Sequence, residues 1–276
     1  MPAKSGSIRA VILDWAGTTV DYGSRAPTQV FVEIFRRRGI EVTIAEARGP
    51  MGSAKRDHIA AVTNLPRVVA QWKELFGHEP ADRDIQAIYD EFLPLQKETL
   101  AKGGAEPIDG VPEAIAELRS RGIKIGSTTG YTRELMEVVA PIAARGGYAP
   151  DTIVCSDDVS AGRPAPWMNF RAAERLGVYP LSATLAVDDT PLGIAAGLNA
   201  GAWTVAISQT GNALGLSAAE AAKLSADELQ SRLKHIEDEF RAAGAHFVLR
   251  SVAELPLRWA EIEHTVQAKQ GNFATH

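Results

Sequence analysis

Apolar and polar positions along this chain alternate between two rhythms. Short runs rich in β-branched residues stop abruptly at acids, hydroxyls or glycine: Ile8 to Leu13 ending at Asp14, "GIKIGSTTGY" (122–131), "TIVCSDD" (152–158), "ATLAVDDT" (183–190), "AWTVAIS" (202–208) and "AHFVLRSV" (245–252). Runs this short, with little polar alternation, predict strands buried on both faces. Between them the apolar residues recur at helical spacing in "VPEAIAELRSR", "RELMEVVAPIAAR", "PWMNFRAAERLG" and "PLGIAAGLNAG". Pro164 and Pro166 are expected to mark the first turn of the third of these helices.

Strands alternating with helices predict an α/β domain with a doubly wound, Rossmann-like parallel sheet. In such a sheet a ligand sits in the crevice beyond the carboxyl ends of the strands. Asp14, Thr129, Asp157 and the pair Asp188/Asp189 are expected to converge there.

The rhythm changes between positions 22 and 102. Here "PTQVFVEIFRRRG", "AKRDHIAAVTN", "PRVVAQWKELFG" and "DRDIQAIYDEFLPLQKETLAK" all carry helical periodicity, and no run reads as a strand. The expected organisation is a core of 1–21 and 103–276, with 22–102 inserted after the first strand as a helical cap placed to close over the crevice. The stretch 216–244 reads as further helix returning to the core.

Composition narrows the function without choosing it. With 276 residues, 45% hydrophobic and 23% charged, the chain can bury a substantial core. A net charge of -5 offers no broad basic surface for nucleic acid or an anionic membrane, which favours a small-molecule or protein partner. One cysteine, Cys155, cannot form an internal disulfide. The leading "MPAKSGSIRA" lacks a secretion pattern and no apolar run approaches membrane-spanning length, so a cytoplasmic location is expected.

Four elements at strand ends could carry chemistry together. A carboxylate such as Asp14 that attacks phosphorus forms an aspartyl-phosphate, and a hard cation must screen the approach of two anions. Mg²⁺ suits oxygen donors, and Asp14, the backbone carbonyl of Ala16 and the Asp188/Asp189 pair can offer them. Thr129 or Thr128, at what reads as the start of a helix, can supply a hydroxyl and backbone N–H groups to a phosphate. Arg163 is a permanent cation able to balance Asp14 and the phosphoryl oxygens.

These elements, in this order, resemble the haloacid dehalogenase superfamily of phosphotransferases. Phosphatases of that superfamily place a second aspartate two positions after the nucleophile, to protonate the departing alcohol. Here that position is Ala16. Cleavage of a P–C bond has no use for that acid, because the difficulty is the carbanion left behind. A lysine condensed with an adjacent aldehyde supplies an electron sink. "RGPMGSAKRDHIAAV" (48–62) offers Lys55, with Met51 four positions before it and His58 three after, a spacing that places all three on one helical face. Met51 is expected to desolvate the amine, Arg56 to disfavour its charged form, and His58 to move protons near neutral pH.

"DWAGT" (14–18) and "MGSAKRDH" (51–58), with "GSTTGYTRE" (126–134), "GRPAPWM" (162–168) and "GAHF" (244–247), resemble the phosphonoacetaldehyde hydrolase family over most of the chain. The resemblance implies Mg²⁺-dependent hydrolysis of phosphonoacetaldehyde by a homodimer in 2-aminoethylphosphonate breakdown. Asp14 would be the nucleophile and Lys55 the imine former, with Met51, His58, Thr129, Tyr131 and Arg163 supporting and Asp14, Ala16 and Asp189 holding the metal. One departure stands out: relatives often carry an acid four residues after the metal-binding Asp, where this chain has Gly193, so either Asp188 or a water fills that place. The alternatives are a haloacid dehalogenase, which needs neither the second acid nor a metal, and a silent superfamily member that only binds a phosphorylated ligand.

Overall fold

A computed structural model describes residues 7–273; the segment 1–6, where the leader pattern was sought, lies outside them. Six parallel strands form one sheet: β1 (Ala10–Leu13), β2 (Lys124–Thr128), β3 (Thr152–Val154), β4 (Thr184–Asp188), β5 (Trp203–Ile207) and β6 (Phe247–Leu249). Their order, β3-β2-β1-β4-β5-β6, puts β1 centrally, with Leu13 in register with Ser127 on one side and Val187 on the other.

Successive side chains of a strand point to opposite faces. Val11 and Leu13 therefore join one apolar layer, completed by helices that follow the order of the chain: α6 (Val111–Ser120), α7 (Arg133–Arg145) and α12 (Leu255–Phe273). Ala10 and Ile12 face α8 (Trp167–Leu176), while Ala206 on the same sheet packs with α9 (Pro191–Asn199) and α11 (Ala226–Ala242). This is the doubly wound α/β class expected from the apolar rhythm.

Between positions 22 and 102 the regular elements are all helices: α1 (Arg25–Arg36), α2 (Ile44–Arg48), α3 (Lys55–Thr63), α4 (Pro66–Phe76) and α5 (Asp82–Lys102). Phe31, Phe35, Ile59, Val62, Trp72 and Phe92 form an apolar cluster separate from those on the sheet. Burying each such side chain contributes about 1.5–3 kcal/mol, so the insert has packing of its own. Its two connections run side by side. Asp21 (φ 54), Gly23 (φ 85) and Ser24 (φ 48) turn the chain out, and Gly103 and Gly104 turn it back. The Asp21 carboxylate accepts from Ala26 N at 2.9 Å, and burial raises its pKa to about 6.

Three local expectations need correction. The stretch 216–244 is two helices, α10 (Ala218–Ala221) and α11, because Ser225 caps α11 by accepting from Glu228 N. Pro164 and Pro166 precede α8 instead of opening it, since the helix starts at Trp167. The five-residue α2 was not foreseen, being too short to show a period.

Candidate active site

Asp14 leaves the end of β1 with its N–H still in the ladder, donating to Val187 O at 2.9 Å. The next residue fixes it in place: Trp15 is fully buried, donates from Nε1 to Ser127 Oγ at 2.9 Å, and meets the Tyr148 ring edge-on at 5.1 Å. Arg163 comes from the loop before α8 and is itself buried. Its Nη2 lies 2.7 Å from Asp14 Oδ1 and 3.2 Å from Asp188 Oδ2, and donates to Thr128 Oγ1 at 2.8 Å. Burial raises the Asp14 carboxyl to about 7, with Arg163 opposing and Asp188 adding to the rise.

Asp188 and Asp189 reach the same point from the end of β4. Asp14, Asp188 and Asp189 each present an oxygen within 4.8 Å of the others, all buried. Ionised, these three carboxylates outnumber the one cation in contact with them, Arg163, so the cluster could hold a metal ion. Asp189 is braced by Thr18 Oγ1 at 3.0 Å and by the N–H of Asn212 at 2.7 Å. Gly17, at φ +89, is required here, since a Cβ would come 2.1 Å from Asp189 Oδ2. A Cβ at Gly193 would lie 1.9 Å from the Asp188 carboxylate. Asp188 thus occupies the volume from which a side chain at 193 would project, which accounts for the glycine at that departure from the family pattern.

The opposite wall is built from the helical insert and has a different character. Lys55 opens α3, is 4% exposed, and has no ion-pair partner among the described residues. Its Nζ lies 5.6 Å from the Phe31 ring centroid and 5.0 Å from that of Tyr131. Burial lowers its pKa to about 8, opposed by Asp14 and reinforced by Arg163. The neutral amine is therefore far more populated near neutral pH than in an ordinary lysine, with the ammonium still in the majority.

The walls meet along a tight seam. A Cβ at Gly52 would approach Thr190 Oγ1 to 2.5 Å, and one at Gly130 would approach Ser53 O to 2.6 Å. Between them remains a cavity of about 20 Å³ on which Asp14, Met51, Lys55, Thr129, Tyr131 and Arg163 all open, with Ala16 beside Asp14.

Several expected residues are placed differently. Met51 lines the cavity from the turn before α3, not from its face, because Gly52 (φ 94) breaks the chain's helical course. His58 is fully buried outside the cavity, stacked on Phe31 at 3.7 Å with Nε2 2.8 Å from Ala47 O. Burial, reinforced by Lys55, lowers its pKa well below the usual value, so it is neutral and does not titrate near pH 7. Arg56 points away to Asp82 at 2.6 Å; the cation that disfavours a charged Lys55 is Arg163. Asp157 is exposed and accepts from Arg133 N, apart from the acid cluster. Thr129 lines the cavity while Thr128 is held by Arg163, and α7 starts only at Arg133, so neither residue stands at its first turn. The Tyr131 phenol is kept protonated by burial.

Ser24, Ser53 and Thr190 also line the cavity and were not anticipated. Thr190 had a readable signal, a threonine before a proline: it caps α9, accepting from Gly193 N at 3.1 Å, while its hydroxyl donates to Asp188 Oδ1 at 2.8 Å. Ser24 had none.

A parallel sheet with a strand-end aspartate, a buried arginine and an acid pair defines a class of hydrolases, and the model of haloacid dehalogenase-like hydrolases matches residues 8–201. The chain is 48% identical over 256 residues to a phosphonoacetaldehyde hydrolase of Bacillus cereus, covering 93% of this chain and 97% of that one. It is 48% identical over 252 residues to a phosphonoacetaldehyde hydrolase of Syntrophobacter fumaroxidans, covering 91% of each. A crystal structure of a phosphonoacetaldehyde hydrolase-like protein from Oleispira antarctica superposes with a TM-score of 0.92 at 40% identity, covering 96% of this chain and 97% of that one. Within the haloacid dehalogenase-like hydrolases, the chain belongs to the phosphonoacetaldehyde hydrolase family. Among the described residues, no helix is long and apolar enough to cross a membrane.

Proposed function

We propose that this chain hydrolyses the P–C bond of phosphonoacetaldehyde, giving acetaldehyde and phosphate, with 22–102 acting as a cap over the core. The observation that carries the reading is the facing of a depressed-pKa amine, Lys55, and a strand-end carboxylate, Asp14, across one small cavity whose Ala16 offers no acid.

Neutral Lys55 attacks the aldehyde carbon, the resulting hydroxyl takes a proton from solvent and departs as water, and a protonated imine remains. Asp14 then attacks phosphorus, and the electron pair of the breaking P–C bond flows into the imine to give an enamine. Protonation of the enamine carbon restores an imine, which water hydrolyses to acetaldehyde and free Lys55. A second water cleaves the aspartyl-phosphate and returns Asp14. Arg163 holds Asp14 Oδ1 and offers charge to the phosphoryl oxygens. Mg²⁺ suits the all-oxygen donors of Asp14, Asp189 and the Ala16 carbonyl, and when bound it supplies the charge that lets a carboxylate approach a phosphonate. Asp188, pinned by Arg163 and Thr190, orients that set.

Incubation with phosphonoacetaldehyde and Mg²⁺ should release acetaldehyde and phosphate in equal amounts, and borohydride added with substrate should add mass at Lys55. Release of phosphate without trapping at Lys55 would remove the imine from the mechanism. The family resemblance extends the reading to a cytoplasmic homodimer, for which gel filtration should give about twice the 29.5 kDa chain mass. The three buried acids argue against the metal-free dehalogenase alternative.

A further inference from the structure

One side chain of the insert reaches into the core behind the acid cluster and has no part in the reaction above. Arg48 ends α2, seven residues before Lys55, and is half-buried. Its Nη1 donates to Gly23 O at 2.9 Å, Asn212 Oδ1 at 2.9 Å and Asn212 O at 3.0 Å, and its Nη2 donates to Gly215 O at 3.1 Å. Asn212 answers with Nδ2, 3.4 Å from Arg48 O. The guanidinium thus joins the turn that leads out of β1, the loop that ends in Lys55, and the core loop 211–215.

That core loop touches the cluster directly. The N–H of Asn212 donates to Asp189 Oδ2 at 2.7 Å, and a Cβ at Gly211 would stand 2.6 Å from Asp189 Cβ. On its other side, a Cβ at Gly215 (φ +67) would come 2.8 Å from Arg48 Cζ. The loop is pressed between Arg48 and Asp189 with no room for a side chain on either contact.

We propose that Arg48 is a positioning residue that couples closure of the cap to the alignment of Asp189, so that the Lys55 loop and the metal-binding carboxylate are set in place together. The proposal rests on the reading of Asp189 as a metal ligand. When the insert swings away, the carbonyls of Gly23, Asn212 and Gly215 lose one shared donor, and the loop that presents the Asn212 N–H loses its backing. By linkage, a cation bound at Asp189 favours the closed insert as strongly as closure favours the cation. A planar fork is required to reach acceptors on both sides; a lysine, being a point charge, cannot hold them all. The ion pairs that span insert and core, Arg25 with Glu220 and Lys97 with Glu134, lie at the surface and are worth little.

The test uses the full chain with Arg48→Ala, Arg48→Lys, Asn212→Ala and, as a control, Arg25→Ala. Amide hydrogen exchange without ligand should quicken at both 49–55 and 211–216 in Arg48→Ala and Asn212→Ala, with α1 and α5 unchanged, which separates a broken clasp from a failure to fold. Arg48→Lys should fall between wild type and alanine, and Arg25→Ala should match wild type. Titration with Mg²⁺ alone, followed by calorimetry, should show affinity weakened roughly five- to tenfold in each alanine variant. A double variant carrying both Arg48→Ala and Asn212→Ala should bind no more weakly than either single one, as expected for one shared contact. Unchanged exchange at 211–216 in Arg48→Ala, strictly additive losses, or wild-type protein that binds no Mg²⁺ would each overturn the coupling. Exchange is read without substrate, so a chain that failed to cleave phosphonoacetaldehyde would sink the proposed activity and leave the clasp to be judged separately.

Discussion

The two walls of the cavity solve opposite electrostatic problems. On the core side, three carboxylates and a guanidinium are crowded into a buried space, and burial pushes Asp14 toward its neutral form. On the insert side, a single amine is set among Phe31, Tyr131 and Met51 with no carboxylate paired to it, and burial again pushes toward the neutral form. The same physical cause suits one group and hinders the other. In the proposed reaction a neutral amine is the nucleophile the imine needs, whereas Asp14 has to be an anion, which added positive charge favours. On that reading the difference calls for a cation at the core wall and none at the insert wall.

Separating the walls by mutation gives the largest effects. Lys55→Arg and Asp14→Asn should each lower turnover about 10⁴-fold or more, as removal of a covalent nucleophile does. They should differ in one respect: Asp14→Asn should still be trapped at Lys55 by borohydride with substrate, and Lys55→Arg should trap nothing. Loss of trapping in Asp14→Asn would mean that the walls do not act independently.

Gly193→Ala comes next, because its Cβ collides with the Asp188 carboxylate. Displacing a group that orients the ligands should weaken Mg²⁺ binding about 10- to 100-fold while sparing imine trapping. Acidity at saturating Mg²⁺, where the added charge keeps Asp14 ionised despite its pKa raised to about 7, then reads the insert wall. With the Lys55 pKa lowered to about 8, the protonated amine dominates below that value, so kcat/KM should rise about tenfold per pH unit and level off above about 8. A limb that continued upward toward the ordinary lysine value would show that burial does not tune the amine. The smallest effect belongs to Arg56→Ala, which removes an exposed pair with Asp82 and should change kcat/KM by less than about twofold.

Most of the sheet and the groups that end its strands were legible because their signals are local. An apolar run followed by Asp14 or by Asp188 and Asp189 reads as a strand feeding a crevice, and parallel topology brings such ends together without further information. The insert wall was harder. The placing of Met51, Lys55 and His58 on one face presupposed a continuous helix, and Gly52 ends that continuity, so Met51 reaches the cavity from a turn while His58 turns into the apolar cluster. Arg163 could be picked out as a cation, but that it also reaches Asp188 depends on a contact between chain segments far apart in sequence. The same holds for Ser24, whereas Asp188 standing where a side chain at 193 would be was one of the two alternatives that the sequence left open.

The small cavity also has a kinetic meaning. About 20 Å³ is room for roughly one water, far less than a phosphonate aldehyde requires. Forming the imine expels a water, while hydrolysing the imine and the aspartyl-phosphate each takes one in. The proposed cycle therefore needs the cavity to open, and turnover should slow as solvent viscosity rises where that opening sets the ceiling on the chemistry.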